Sequence, residues 1–183
     1  MIIALPEAVV LIQSGEVIAA PTEAVYGLSA DPRNHSALQR VLTLKQRPAS
    51  KGFILLASHR DQLAHWVDWS QLPPLRRKAI HATWPGPVTW ILPACSDVPA
   101  LLRGIHHTIA VRITAHPVMA TLCNQLHTAV ISTSANLAEL PPARSHQQLH
   151  HYFGENLPVL AGALGNLDQP TPIMDGLTGL RLR

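Results

Sequence analysis

The chain has 183 residues, of which 47% are hydrophobic and 14% are charged; it can bury a core of its own, and this composition excludes an intrinsically disordered protein. Its two cysteines, Cys95 and Cys123, form no CxxC pair, which excludes a disulfide scaffold and a cysteine-based zinc site. The formal net charge is only +3, but eleven of the fourteen cations are arginines, which suit forked contacts to phosphate or carboxylate unless a GC-rich genome alone accounts for the bias.

No segment predicts a membrane span or a secretory leader. The long uncharged stretches, residues 79–96 and 113–138, are interrupted by prolines, histidines and amide side chains. The N-terminal residues contain no basic segment and no small-residue cleavage site. We therefore expect a cytoplasmic protein without membrane contact, folded as a single domain over residues 1–183.

The first third of the chain predicts two helices and two strands. The stretch "EAVVLIQS" favours a helix because Pro6 and Glu7 suit a first turn and Gly15 suits a left-handed end. The stretches "EVIAA" and "GFILLA" are apolar runs typical of buried strands, and "HSALQRVLTLKQR" has helical spacing. The segment "PTEAVYGLSADP" is predicted as a loop.

The rest of the chain continues this alternation. Helices are predicted for residues 60–67, 73–84, 116–127 and 146–153, and strands for residues 87–93, 108–114, 128–133 and 157–162, followed by two short segments around "IMDGL" and "LRLR". Alternating strands and helices predict an α/β fold with helices on the faces of a sheet. Because sixteen prolines shorten the regular elements, we expect an open, twisted mixed sheet.

The stretch "LKQRPASKG", residues 44–52, which we name the cation loop, brings three cations into seven positions. Lys45 and Arg47 flank one residue just before Pro48 turns the chain out of a helix, and Lys51 precedes Gly52. Such a group suits a di- or triphosphate, although a solvated basic helix end would look the same. The chain has no Walker A motif and no dinucleotide-type glycine loop, so these side chains would have to bind the phosphates themselves.

Three further groups of polar residues follow apolar strands. The run "STSAN", residues 132–136, could bind a polar ligand at the end of a strand, or form an ordinary turn that caps a helix. Thr22 and Glu23 could bind an amine or a hydroxyl, or cap a turn. Arg112 emerges from an apolar strand, where a guanidinium is expected to meet an anion.

No metal site and no hydrolase triad is predicted. His146 and His150 stand four residues apart, but no carboxylate accompanies them at helical spacing, so a solvated helix face is the expected role. The serines lack a nucleophile-elbow pattern.

In their order and intervals, "PTEAVYGL", "LKQRP" with "KG", "WPGPVT", "AVR" with "HP", and "STSAN" resemble the YrdC family of threonylcarbamoyl-AMP synthases. The resemblance runs from near Gly15 to the C-terminus. It implies an open α/β sheet with a basic concave surface, and the conversion of L-threonine, bicarbonate and ATP, with Mg²⁺, into threonylcarbamoyl-adenylate and pyrophosphate. Since the chain is similar to the short, single-domain members, separate proteins would transfer the threonylcarbamoyl group to the adenosine beside the tRNA anticodon.

The resemblance also implies roles for individual residues. Lys45 and Arg47 would be the catalytic residues and, with Lys51, would bind the ATP phosphates. The nucleotide would further contact Thr108, Ser134, Asn136 and Arg183. Threonine would contact Thr22, Arg112, Ser132 and Thr171, with Arg112 as the partner of its carboxylate.

The sequence departs from the family pattern at two places. Thr171 and Pro172 stand where relatives commonly have Ser-Thr or Ser-Glu, so only one hydroxyl is kept. The apolar run "ILL" stands where longer members often carry a histidine after the cation loop, so that contact is expected to be absent or replaced.

Two other functions fit part of the pattern. A module that binds double-stranded RNA or a ribosomal precursor could use the same cations, and weak RNA binding could accompany catalysis. A carbamoyltransferase with a YrdC-like module would share the pocket, but those modules lie within larger chains with zinc-finger and acylphosphatase segments.

Overall fold

The computed structural model describes all residues, 1–183, and consists of one nine-stranded sheet with six helices. The strands are β1 (Ile2–Ile3), β2 (Ile18–Pro21), β3 (Tyr26–Ala30), β4 (Ile54–Ala57), β5 (Thr89–Pro93), β6 (Thr108–Ile113), β7 (Val130–Ser134), β8 (Val159–Leu160) and β9 (Ile173–Asp175). The helices are α1 (Leu5–Gln13), α2 (His35–Lys45), α3 (Pro74–Ala82), α4 (Ala100–Arg103), α5 (Pro117–Leu126) and α6 (His146–Phe153).

The sheet is mixed and open, in the order β1-β8-β2-β3-β7-β4-β6-β5-β9. The four parallel pairs are β1 with β8, β8 with β2, β4 with β6, and β5 with β9. The other four neighbouring pairs are antiparallel. The predicted open mixed α/β sheet is therefore confirmed.

Apolar side chains cover one face of the sheet and part of the other. Successive strand residues point to opposite faces, so Leu55 joins a cluster of 30 buried residues and Leu56 a separate cluster of 12. The smaller cluster holds the buried residues of α1 and α5, which therefore cover one end of the second face. The rest of that second face carries small and polar residues and remains available for a site.

Residues 161–172, which we name the crossover segment, connect two strands at opposite sides of the sheet. They leave β8, near one edge, and reach β9, at the other edge. On the way, the N–H groups of Gly165 and Leu167 donate to the carbonyls of Thr22 and Glu23, at 2.9 and 3.1 Å. The crossover segment is thereby fixed to the turn between β2 and β3.

Two predicted elements were wrong. The segment predicted as a loop over "PTEAVYGLSADP" contains β3, a central strand that pairs with both β2 and β7. The helix predicted for residues 60–67 is only a 3₁₀ turn, Arg60–Leu63, because Val67 then forms a bridge with Ala94. Strand β1 and the short helix α4 were not predicted.

None of the helices combines the length and the apolar character that a bilayer span requires.

Candidate functional site

A cleft of about 290 Å³ lies on the polar part of the sheet, between the cation loop, the β2–β3 turn and the end of the crossover segment. Its walls carry four cations and five hydroxyl side chains but no carboxylate side chain. These charged and hydroxyl residues are Arg47, Lys51, Arg112, Arg183, Thr22, Ser132, Thr133, Ser134 and Thr171. Such a lining favours an anionic, hydrogen-bonding ligand.

The floor of the cleft is built from uncharged residues on neighbouring strands. Strand pairing places Ser132 beside Ile54, and Ile54 beside Ala110. Gly27 lies next to them, and a Cβ atom there would stand 2.8 Å from the Ser132 hydroxyl oxygen. The absence of a side chain at Gly27 therefore leaves the Ser132 hydroxyl accessible to a ligand.

Arg47 is held at the cleft by backbone oxygens. Its Nη2 donates to the carbonyl of Gly52 at 2.8 Å, while its buried Nε has no partner. Burial lowers the pKa of Arg47 below its usual value. Lys51 is exposed, and neither cation forms an ion pair with a carboxylate. Both charges are therefore available to an anion.

Lys45 lies behind the cleft wall and does not line it. The side chain is buried, and its Nζ donates to the carbonyl of Ser134 and, at 3.0 Å each, to the carbonyl and the side-chain oxygen of Asn136. Burial, together with the charge of Arg47, lowers the pKa of Lys45 to about 8. These hydrogen bonds of Lys45 join the cation loop to the "STSAN" run and hold the two segments together.

Asn136, like Lys45, does not line the cleft. Its side-chain oxygen accepts from the Ser134 hydroxyl at 2.7 Å, and its Nδ2 donates to the carbonyls of Leu137 and Leu140. The Ser134 hydroxyl remains at the cleft wall. Asn136 therefore fixes the turn that presents Ser134.

Arg112 is buried at the opposite end of the cleft, with an exposed fraction of 5%. Its Nη1 donates to the Thr171 hydroxyl at 2.6 Å. Its Nη2 lies 3.0 Å from a Glu23 carboxylate oxygen; this contact is an ion pair, but its angles do not meet those of a hydrogen bond. Burial lowers the pKa of Arg112 and nearby Arg183 adds to this, whereas Glu23 acts in the opposite direction. The guanidinium of Arg112 was expected to contact an anion, and within the chain that anion is Glu23.

Of the remaining predicted residues, Thr22 and Arg183 line the cleft, whereas Thr108 does not. Thr22 lines the cleft and donates its hydroxyl to the carbonyl of Val25 at 2.7 Å. Arg183 also lines it and donates to the carbonyl of Thr171 at 3.1 Å. Thr108 begins β6 opposite Pro93 and does not line the cleft. The roles of all these residues toward ATP and threonine stay predictions.

The positions that Thr133 and Glu23 have at the site were not predicted from the sequence. Thr133 lines the cleft, and its hydroxyl lies 3.5 Å from Nη1 of Arg47. Its place between two predicted site residues, Ser132 and Ser134, was a signal. Glu23 was predicted either to bind an amine or a hydroxyl or to cap a turn; it does not line the cleft and contacts Arg112 instead.

Named relatives align with nearly the whole chain. A threonylcarbamoyl-AMP synthase from Photobacterium profundum is 44% identical over 180 residues, which are 98% of this chain and 97% of the relative. A protein of the same name from Nitrosococcus oceani is 49% identical over 174 residues, 94% of this chain and 93% of the relative.

A solved structure has the same fold. The P. abyssi Sua5 protein complexed with L-threonine superposes with a TM-score of 0.87 at 26% identity. The alignment covers 96% of this chain but only 54% of the Sua5 chain, so this chain spans just over half the length of that protein. The Sua5/YciO/YrdC family model, described as "Telomere recombination", matches residues 10–180. With that match and these relatives, the chain belongs to the Sua5/YciO/YrdC family.

Proposed function

We propose that this protein is a threonylcarbamoyl-AMP synthase, which converts L-threonine, bicarbonate and ATP into threonylcarbamoyl-adenylate and pyrophosphate. The observation that carries the proposal is the cleft, whose walls carry four cations and five hydroxyl side chains but no carboxylate side chain. ATP is a polyanion and threonine carries a carboxylate, and each offers hydroxyl groups for hydrogen bonding. The named relatives, at 44% and 49% identity, support the same activity.

The two ends of the cleft suit the two substrates. Lys51 lies three residues before β4 begins at Ile54, whereas Arg112 stands opposite Leu56 farther along the parallel strand β6. The strand rises roughly 7 Å between Ile54 and Leu56, and Lys51 lies beyond the Ile54 end, so the two cations stand at different ends of the cleft. The triphosphate would lie against Arg47 and Lys51, and the threonine carboxylate against Arg112 and Thr171.

The chemistry requires no protein nucleophile. The threonine amine attacks the carbon of bicarbonate, and loss of water leaves a carbamate. A carbamate oxygen then attacks the α-phosphorus of ATP, the bond from that phosphorus to the α,β-bridging oxygen breaks, and this oxygen leaves as part of pyrophosphate. Arg47 and Lys51 neutralise the charge that collects on the phosphate oxygens, and the fixed walls hold the reactants in line.

Magnesium would enter as part of the ATP complex. The cleft wall offers hydroxyls but no carboxylate side chain, and no group of three histidine, cysteine, aspartate or glutamate residues could hold a metal ion. The phosphate oxygens and water would therefore be its main ligands, as Mg²⁺ prefers.

The product would leave this protein for another. Separate transfer proteins would pass the threonylcarbamoyl group to the adenosine beside the tRNA anticodon, in the cytoplasm.

Lys45 would act from behind the cleft wall. Its buried position supports a role in holding Ser134 at the wall, and its charge would act on the phosphates through that wall.

Pyrophosphate release tests the proposal directly. The purified protein is incubated with ATP, Mg²⁺ and bicarbonate, with L-threonine, with L-serine, or with no amino acid. We expect release that depends on both threonine and bicarbonate, together with a threonylcarbamoyl-adenylate product. Retention of double-stranded RNA at physiological salt without any threonine-dependent release would contradict the proposal and favour an RNA-binding module.

A further inference from the structure

The Glu23 carboxylate is buried directly behind Arg112. Its side chain is 10% exposed and that of Arg112 is 5% exposed, so water screens their 3.0 Å ion pair only weakly. Glu23 itself does not line the cleft. A carboxylate in this position can act on a ligand in the cleft only through Arg112.

Both oxygens of Glu23 face hydrogen-bond donors. One accepts from the Thr114 hydroxyl at 2.6 Å, and the other lies next to Nη2 of Arg112. Thr114 donates in this bond, because a carboxylate oxygen can only accept, and the same hydroxyl oxygen accepts from the N–H of His116 at 3.0 Å. Thr114 therefore fixes the carboxylate, and the carboxylate fixes one side of the guanidinium.

The crossover segment encloses this arrangement. Leu167 N–H donates to the carbonyl of Glu23, and a Cβ atom on Gly165 would stand 2.6 Å from the same oxygen. Thr171, at the end of the crossover segment, accepts from Nη1 on the other side of Arg112. The guanidinium is thus held at two of its nitrogens before any ligand arrives.

We propose that Glu23 is a positioning residue, which, together with Thr114, orients Arg112 for the carboxylate of threonine. This inference rests on the proposed function, because it requires that Arg112 receives that carboxylate. A guanidinium that is fixed in advance loses less freedom when the substrate binds. Releasing it therefore weakens threonine binding and leaves ATP binding unchanged.

The first test is Thr114→Val, which keeps the side-chain shape and removes the hydroxyl. We expect the KM for threonine to rise by about tenfold, with the KM for ATP unchanged. Thr121→Val is the matched control, since the Thr121 hydroxyl donates to Pro117 on the exposed side of α5, outside the site. Thermal unfolding of both variants separates lost binding from lost folding.

The second test is Glu23→Gln, alone and combined with Arg112→Ala. Glu23→Gln should raise the KM for threonine by about 10- to 100-fold, and should have no further effect once Arg112 is absent. A threonine KM within twofold of wild type in both folded single variants, or equal increases in the KM values for threonine and ATP, would overturn the inference. Wild-type protein without threonine-dependent pyrophosphate release would overturn the proposed function as well, so the two failures are distinguishable.

Discussion

Replacing Arg47 by alanine should nearly abolish adenylate formation while leaving the protein folded. Arg47 presents a charge without a carboxylate partner at the cleft, and its buried Nε is unbonded. For a phosphate oxygen roughly 4 Å away and an effective dielectric constant of about 20, the lost attraction is about 4 kcal/mol. That value corresponds to a decrease of roughly a thousandfold in kcat/KM for ATP.

The expected effect on folding is much smaller. Arg47→Ala removes the 2.8 Å bond to the Gly52 carbonyl, together with longer contacts to Lys51 and Thr133, and should cost about 1–2 kcal/mol of unfolding free energy. Arg40→Ala is the matched control, because Arg40 lies on α2, just before the segment that carries Arg47, but is half exposed and paired with Glu16.

The assay is threonine-dependent pyrophosphate release as a function of ATP concentration, with urea unfolding of each variant in parallel. Wild-type kcat/KM in a folded Arg47→Ala protein would refute the assignment of Arg47 to phosphate. A loss of activity that only parallels a loss of folded protein would refute the electrostatic explanation.

Three further predictions follow from the site. Arg112→Ala should raise the KM for threonine more than that for ATP, and equal KM changes would argue against a carboxylate contact. Gly27→Val should occupy the space before the Ser132 hydroxyl and lower kcat/KM for both substrates at least tenfold, without unfolding seen by circular dichroism. The pKa of Lys45 is about 8 in the folded protein and near 10.5 in the unfolded chain, so the unfolded chain binds more protons between these pH values. The unfolding free energy of the wild-type protein should therefore rise with pH in this range, and by more than that of Lys45→Met. Urea titrations of both proteins at pH 7.5 and 9.5 measure the difference.

The sequence predicts the long, strongly patterned elements well. Helices α2 and α5 and strands β4, β6 and β7 lie where apolar spacing indicates them. Most of the predicted cations and hydroxyls also meet at one cleft, because their motifs follow strands that become neighbours, although Lys45 and Thr108 do not line it. The pairing of β7 with β4, which places Ser132 beside Ile54, depends on contacts far apart in the chain and could not be derived from local spacing.

Some missed features had a signal in the sequence. Strand β3, "YGLSA", alternates large apolar with small residues, and Tyr26 and Leu28 are in fact buried in the larger cluster. Gly27 weakened that pattern, because its role is to leave room at the cleft. Lys45 continues the apolar stripe of Leu38 and Val41 along α2, which indicates burial, but its basic neighbours suggested an exposed cation.

Other errors had a tertiary cause. Leu63, Trp66 and Val67 have helical spacing and are buried, as a helix would require. The chain nevertheless extends there, because the Trp66 carbonyl accepts from the N–H of Cys95 and Val67 bridges Ala94. Partners from a distant segment thus override the local preference.

The pairing of β1 with β8 has a consequence for the order of folding. Ile2 and Ile3 lie beside Val159 and Leu160, so the first strand to leave the ribosome waits for one of the last. The apolar side of α1 packs with α5 and therefore stays uncovered until α5 has been synthesised. Because contacts so distant in sequence form slowly, we expect pulse-labelled amides of β1 and α1 to become protected from hydrogen exchange later than those of β4 and β6.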